Sequence, residues 1–141
     1  MLESLIPLHP KLVHFPIALF VSALIFDLLS FITKKESLHK TALSMYVFAA
    51  FLTPVVIRTG IWEVERISLN HPILDKHKQF ASYTMWLSLM SLPILWVVKK
   101  EFSKLFRPIF FLLLLGVVSC VGITGHEGGT MVYEYGVGIE E

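Results

Sequence analysis

Residues 12–33 read LVHFPIALFVSALIFDLLSFIT, a stretch with one carboxylate (Asp27), one imidazole (His14) and no lysine or arginine. At 1.5 Å per residue, a helix of this length covers about 30 Å, the thickness of the hydrocarbon core of a bilayer. Three more apolar stretches lie between charged markers: 41–62, 79–98 and 108–125. The expected fold is all-α: a single domain in which four transmembrane helices form an up-down bundle.

Composition agrees. Hydrophobic residues make up 55% of the 141 positions and charged residues only 16%. A soluble domain of this size has too much surface for its volume to hide so much apolar side chain in one core. A net charge of +1 produces no field that would draw in nucleic acid, and basic residues do not cluster with aromatic ones. Cys120 is the only cysteine, which excludes an internal disulfide and any CxxC site. The opening MLESLIPLHPK lacks the basic start of a secretory signal, so the first apolar segment is expected to remain in the mature protein.

Four spans put both termini on one side. The two hairpin connections carry Lys34, Lys35, Lys40, Lys99, Lys100, Lys104 and Arg107, against Lys11, Arg58, Arg66, Lys76 and Lys78 on the opposite side. Since short basic loops stay cytoplasmic, both termini are expected outside. Trp62, Trp96, Tyr46 and Tyr133 fall near span ends, as interfacial aromatics do. Pro16 and Pro54 lie inside spans and should kink them. No internal repeat is visible.

On this topology His9, His14, His71, His77 and His126 gather at the outer face, and only His39 lies at the other. Any one of them could make an ordinary structural hydrogen bond. Their convergence points further, because neutral imidazole is the commonest nitrogen ligand for iron, copper and zinc, and bundle sites draw ligands from facing helices. His14, His77 and His126 meet that need if they point inward, with His9 as a fourth candidate in a metal layer. Glu63, Glu65, Asp75, Glu127 and Glu134 lie on the same side, where a carboxylate can orient a ligand imidazole. Arg58, at the end of the second span, must snorkel or find an acid. Asp27 is an intramembrane carboxylate toward the inner end, and so a functional candidate. The glycine-dense tail TGHEGGTMVYEYGVGIE is expected to end the fourth helix near Gly125 and fold back over the bundle mouth.

Four segments, LHPKLVHFPIALFVSALIFD (8–27), TGIWE (59–63), HKQFASYTMW (77–86) and GHEGGTMVYEYGVGI (125–139), together resemble the bacterial membrane family called domain of unknown function 2231. Glu63 stands where the family pattern has an aspartate, which keeps a carboxylate in place. The matched polar positions are His9, His14, Asp27, Glu63, His77, His126, Tyr133 and Glu134. Some relatives are joined to c-type cytochrome domains, so the resemblance implies a redox neighbourhood and a bacterial inner membrane, with both termini on its periplasmic side.

The leading expectation is a haem b protein that passes electrons near the outer face, with His14 and His77 as axial ligands from diagonal helices and His126 as the next choice. The third histidine would then bond a propionate or a quinone, a role that Arg58 could share, and a c-type cytochrome or quinone would be the partner. A second reading is copper or zinc at a layer of His9, His14, His77 and His126, or small-ion transport with Asp27 as a relay. A third is a cofactor-free structural subunit of a larger membrane complex. No serine, cysteine or histidine arrangement supports nucleophilic chemistry, so an enzyme is not the expectation.

Overall fold

The computed structural model describes residues 8–67 and 71–137. They form five helices: α1 Leu8–Leu12, α2 His14–Thr33, α3 Glu36–Ile67, α4 Pro72–Glu101 and α5 Ser103–Tyr133. Helix α1 runs into α2, and together with α3, α4 and α5 they give four segments long and apolar enough to cross a bilayer. Among the described residues there is no strand. The all-α four-span expectation therefore holds.

Prolines explain the local breaks. Pro16 has no N–H to give the carbonyl of Leu12, and the chain is interrupted at Val13, between α1 and α2. Pro54 leaves α3 unbroken, because the Thr53 hydroxyl donates to the carbonyl of Ala50 over 2.7 Å. That carbonyl is the one the missing Pro54 N–H would have served, which is how helices in lipid tolerate proline. Lys34, at φ 56°, turns α2 into α3 in the left-handed conformation.

Helix α2 packs on α3 and α5, and α4 packs on the same two, so α2 and α4 are diagonal. The core holds Phe20, Tyr46, Phe110, Leu114 and Val117, with Ala23, Ala42 and Ala49 buried where helices approach closely. Lipid offers no hydrophobic drive for helix association, so small residues and interhelical hydrogen bonds must hold the bundle. Phe15, Ile32, Phe48, Phe51, Trp86 and Leu112 are exposed, as lipid-facing side chains should be.

Three expectations change. Helix α5 passes straight through Gly125 to Tyr133 rather than ending there to free a lid. It is closed later by Gly136, at φ +64°, as the Gly136 N–H meets the Val132 carbonyl and the Val137 N–H meets that of Met131. Tyr46 is no interfacial aromatic: it is fully buried and bonds Ser91 over 2.7 Å.

The third change is an internal repeat that the residues alone do not display. Adding 68 to the buried α2 positions Pro16, Phe20, Ala23 and Asp27 gives Thr84, Ser88, Ser91 and Leu95, all buried on α4. The same step takes Ala42, Tyr46, Ala49 and Thr53 of α3 to Phe110, Leu114, Val117 and Val121 of α5, again all buried. The protein is thus two helical hairpins of one register, packed about a pseudo-twofold axis that runs along the bundle, the parallel-repeat arrangement of some membrane folds. The repeat is hidden because almost any apolar residue serves a lipid face or a core position. Few residues match across it, among them His9 with His77 and Gly60 with Gly128.

Candidate functional site

Polar groups occupy two layers of the bundle, one at each end. At the end that carries the two hairpin connections, Asp27 of α2 is fully buried and His39 of α3 is 3% exposed. His39 Nδ1 lies 2.6 Å from Asp27 Oδ1. Asp27 Oδ2 has no hydrogen-bond partner among the described residues. Ser30 Oγ donates to the Asp27 carbonyl over 2.7 Å and accepts from Arg107 Nη2 over 2.5 Å. Arg107 also lies 3.7 Å from Glu36 and over the Phe31 ring, and so links the buried pair to a half-exposed rim. The Phe106 and Phe110 rings stand edge-on to His39 at 5.7 and 5.5 Å.

Sequence reasoning set His39 aside because it lay on the far side from the other histidines. A usable signal was present. His39, Tyr46 and Thr53 on α3, and His77, Thr84 and Ser91 on α4, recur every seven residues and so share one face of each helix. All six lie on faces turned into the bundle, and Tyr46 joins Ser91 between the two helices. Ser91 and Ser88 hydroxyls satisfy carbonyls one turn back on α4.

At the end that carries the termini, two histidines point inward. His9 Nδ1 is 3.1 Å from the Val56 carbonyl and 3.2 Å from Thr59 Oγ1. His77 Nδ1 is 3.0 Å from the Thr124 carbonyl. A Cβ added to Gly60 would come within 2.9 Å of the His9 ring, and one on Gly128 within 3.4 Å of the His77 ring, so each imidazole lies in a glycine slot on the neighbouring helix. Val56 and Thr124 also line a cavity of about 50 Å³ between all four spans, together with Phe20, Thr53, Thr84 and Val121. Lys76 pairs with Glu127, which is buried, and Arg66 with Glu63 over 2.5 Å.

The other expected site residues lie elsewhere. His14 is exposed on the outside of α2, its Nδ1 2.5 Å from the Pro10 carbonyl one turn back. His126 is exposed along α5, beside Gly129, Thr130, Tyr133 and Glu134. Arg58 is exposed and caps Trp62 at 5.0 Å, turned away from the imidazole layer. The cause is angular: His14 and His126 lie at the expected depth, but a helix turns each successive side chain by about 100°, and that step leaves both on outward faces.

Haem between His14 and His77 does not fit this interior. His14 lies on an exposed face while His77 points inward, and the cavity between the spans, lined by neither ring, holds about 50 Å³, well under the roughly 300–1,000 Å³ of sites that enclose a small molecule. The same placement breaks the four-histidine metal layer, and among the described residues no three histidine, cysteine, aspartate or glutamate side chains cluster as a metal site.

Fold and polar layers define a membrane protein whose four spanning helices enclose ionisable groups at both ends. A family model described as "predicted membrane protein", that of domain of unknown function 2231, matches residues 5–141, and the chain belongs to that family. Neither the curated proteins nor the solved structures contain a match.

Proposed function

We propose that the protein passes protons along its bundle axis, with Asp27 and His39 as the pair that takes them up and releases them, in a bacterial cytoplasmic membrane with the termini outward. The observation that carries this is the buried 2.6 Å contact between the two side chains inside spanning helices. An ionisable group at such a position is costly, and its usual use is on an ion or proton path.

The pair has two protonation states of different charge. With one proton, on His39 Nδ1, imidazole donates to the Asp27 carboxylate and the pair carries one negative charge, offset by Arg107 nearby. A second proton, on His39 Nε2 or Asp27 Oδ2, makes the pair neutral. Arg107 and Glu36 form the rim through which water-borne protons reach it. Beyond the pair, the Phe110 ring stands edge-on to both His39 and Tyr46, at 5.5 and 5.4 Å. It separates the pair from the Tyr46, Ser91, Ser88 and Thr84 hydroxyls that lead toward the cavity, so passage needs a side-chain movement and the path is not a permanent leak.

The test is proton flux into proteoliposomes that contain a pH-sensitive dye, driven by a potassium diffusion potential. Asp27→Asn should lower the flux by about tenfold or more, the scale on which general acid–base groups act. Flux in the Asn variant equal to that of the unchanged protein would reject the proposal.

A further inference from the structure

A path that starts at Asp27 and His39 and leads to the cavity needs a group that gives the proton up at the far end. We infer that Glu127 is that group, the carboxyl that exchanges protons with water at the end carrying the termini, an assignment that rests on the Asp27 reading.

Among the described residues two carboxylates are buried, Asp27 fully and Glu127 at 6% exposure. Asp27 belongs to the first hairpin and Glu127 to the second. The step of 68 puts Leu95 at the position of Asp27 and Thr59 at that of Glu127, so neither acid is part of the repeat. Depth is what relates them. Glu127 lies twenty residues beyond Arg107 on the unbroken α5, and Arg107 bonds Ser30, which in turn bonds the Asp27 carbonyl. Twenty helical residues span about 30 Å, the thickness of the hydrocarbon core, so the two acids stand near its opposite boundaries.

Both ends share one plan, a buried carboxylate with a cation on its water side. The partner of Glu127 is Lys76, in the first turns of α4, whose side chain is 58% exposed. Arg107 holds the corresponding place at the other end, beside Glu36 on the rim. A carboxylate that only fastened α5 to α4 would still have to leave water, and pairing with an exposed lysine repays that cost poorly.

The route to Glu127 follows α5. The hydroxyl series from Tyr46 and Ser91 ends at Thr84, which lines the cavity between the spans together with Thr53 and Thr124. Each of these threonines donates its hydroxyl hydrogen to a carbonyl of its own helix, at Ala50, Phe80 and Cys120, so its oxygen is left to accept. At about 50 Å³ the cavity exceeds the space that one proton-carrying water needs. Glu127 comes one turn after Thr124, and residues three apart on a helix are neighbours on one face. The His77 ring packs on the same turn, with Nδ1 3.0 Å from the Thr124 carbonyl and Cε1 facing Gly128.

In the exchange, the Glu127 carboxylate takes a proton arriving from the cavity. The new O–H bond removes its negative charge and frees the Lys76 ammonium toward water. The acid then gives its proton to external water, and the carboxylate pairs with Lys76 again. One proton enters and one leaves, and the sequence runs equally in reverse.

The test uses the full chain in the same proteoliposomes. Glu127→Gln should lower proton flux by about tenfold or more, and Glu127→Asp, which keeps a carboxyl, should recover most of it. Lys76→Met removes the ion pair and leaves the acid, so it should lower flux less than Glu127→Gln does. Glu134→Gln, an exposed carboxylate at the same end, is the control and should leave flux unchanged. A lipid-soluble carbodiimide, which adds to a carboxyl in its protonated form, needs no variant to fold and should label Glu127 of the unsubstituted protein, as mapped by mass spectrometry. Undiminished flux in Glu127→Gln, a loss in Lys76→Met as large as in Glu127→Gln, or no label at Glu127 would each overturn the inference. Undiminished flux in Glu127→Gln beside an impaired Asp27→Asn rejects Glu127 alone, whereas an unimpaired Asp27→Asn removes the Asp27 reading as well.

Discussion

His39 Nδ1 lies 2.6 Å from Asp27 Oδ1, a contact between α3 and α2 in a part of the bundle where both side chains are buried. Two polar residues twelve positions apart in the chain are thereby tied across the first hairpin. The second hairpin has Leu95 and Arg107 at the equivalent positions and makes no such pair. The repeat is therefore symmetric in its register and asymmetric in its chemistry.

Removing one member of that pair leaves the other buried without its partner, while replacing both with apolar residues removes the need for either. Asp27→Ala or His39→Ala should each cost about 3–5 kcal/mol. Asp27→Leu combined with His39→Phe should cost much less than the two single changes together. Reversible unfolding in mixed micelles, read by circular dichroism, would check this, and an additive double variant would contradict it.

Thr53 serves a carbonyl that Pro54 strands. Thr53→Val keeps the shape and removes the hydroxyl, at an expected cost of about 1–3 kcal/mol for the unsatisfied Ala50 carbonyl. Pro54→Ala restores a backbone N–H, so the same Thr53→Val change in that background should cost little. The coupling between the two, measured by a double-mutant cycle in the same micelles, is the number to determine.

The glycine slots should not be equally tolerant. Gly60→Ala puts a methyl 2.9 Å from the His9 ring and forces a shift, with an expected loss of about 1–3 kcal/mol. Gly128→Ala puts one at 3.4 Å from His77, a contact that a small ring movement relieves, and should cost less than Gly60→Ala. Gly122 and Gly125 face open space, so alanine there serves as the control. Thermal unfolding of the four variants side by side ranks them.

An oxidised and dithionite-reduced visible spectrum of the purified protein should lack a Soret band, because His14 faces outward, away from His77, and the cavity between the spans holds only about 50 Å³. A Soret band that disappears in His14→Ala would restore the redox expectation and with it the cytochrome or quinone partner.

The uninterrupted apolar stretches were enough to establish four helices, their approximate bounds and the placement of histidines near one end. Lipid imposes this: a segment that satisfies its own backbone and is apolar for about 30 Å has one way to lie. Depth in the membrane was thus legible from residue number. Azimuth was not, since whether a side chain faces lipid or the axis depends on which helices flank it. His14 and His126 sit at the right depth on the wrong faces, and His9 and His77 take the inward positions. Only packing made Asp27 and His39 neighbours, revealed the step of 68 between hairpins, and gave Gly60 and Gly128 their use. Those relations are set by contacts between helices, and a linear pattern of apolar residues carries the period of one helix but not the identity of its neighbour.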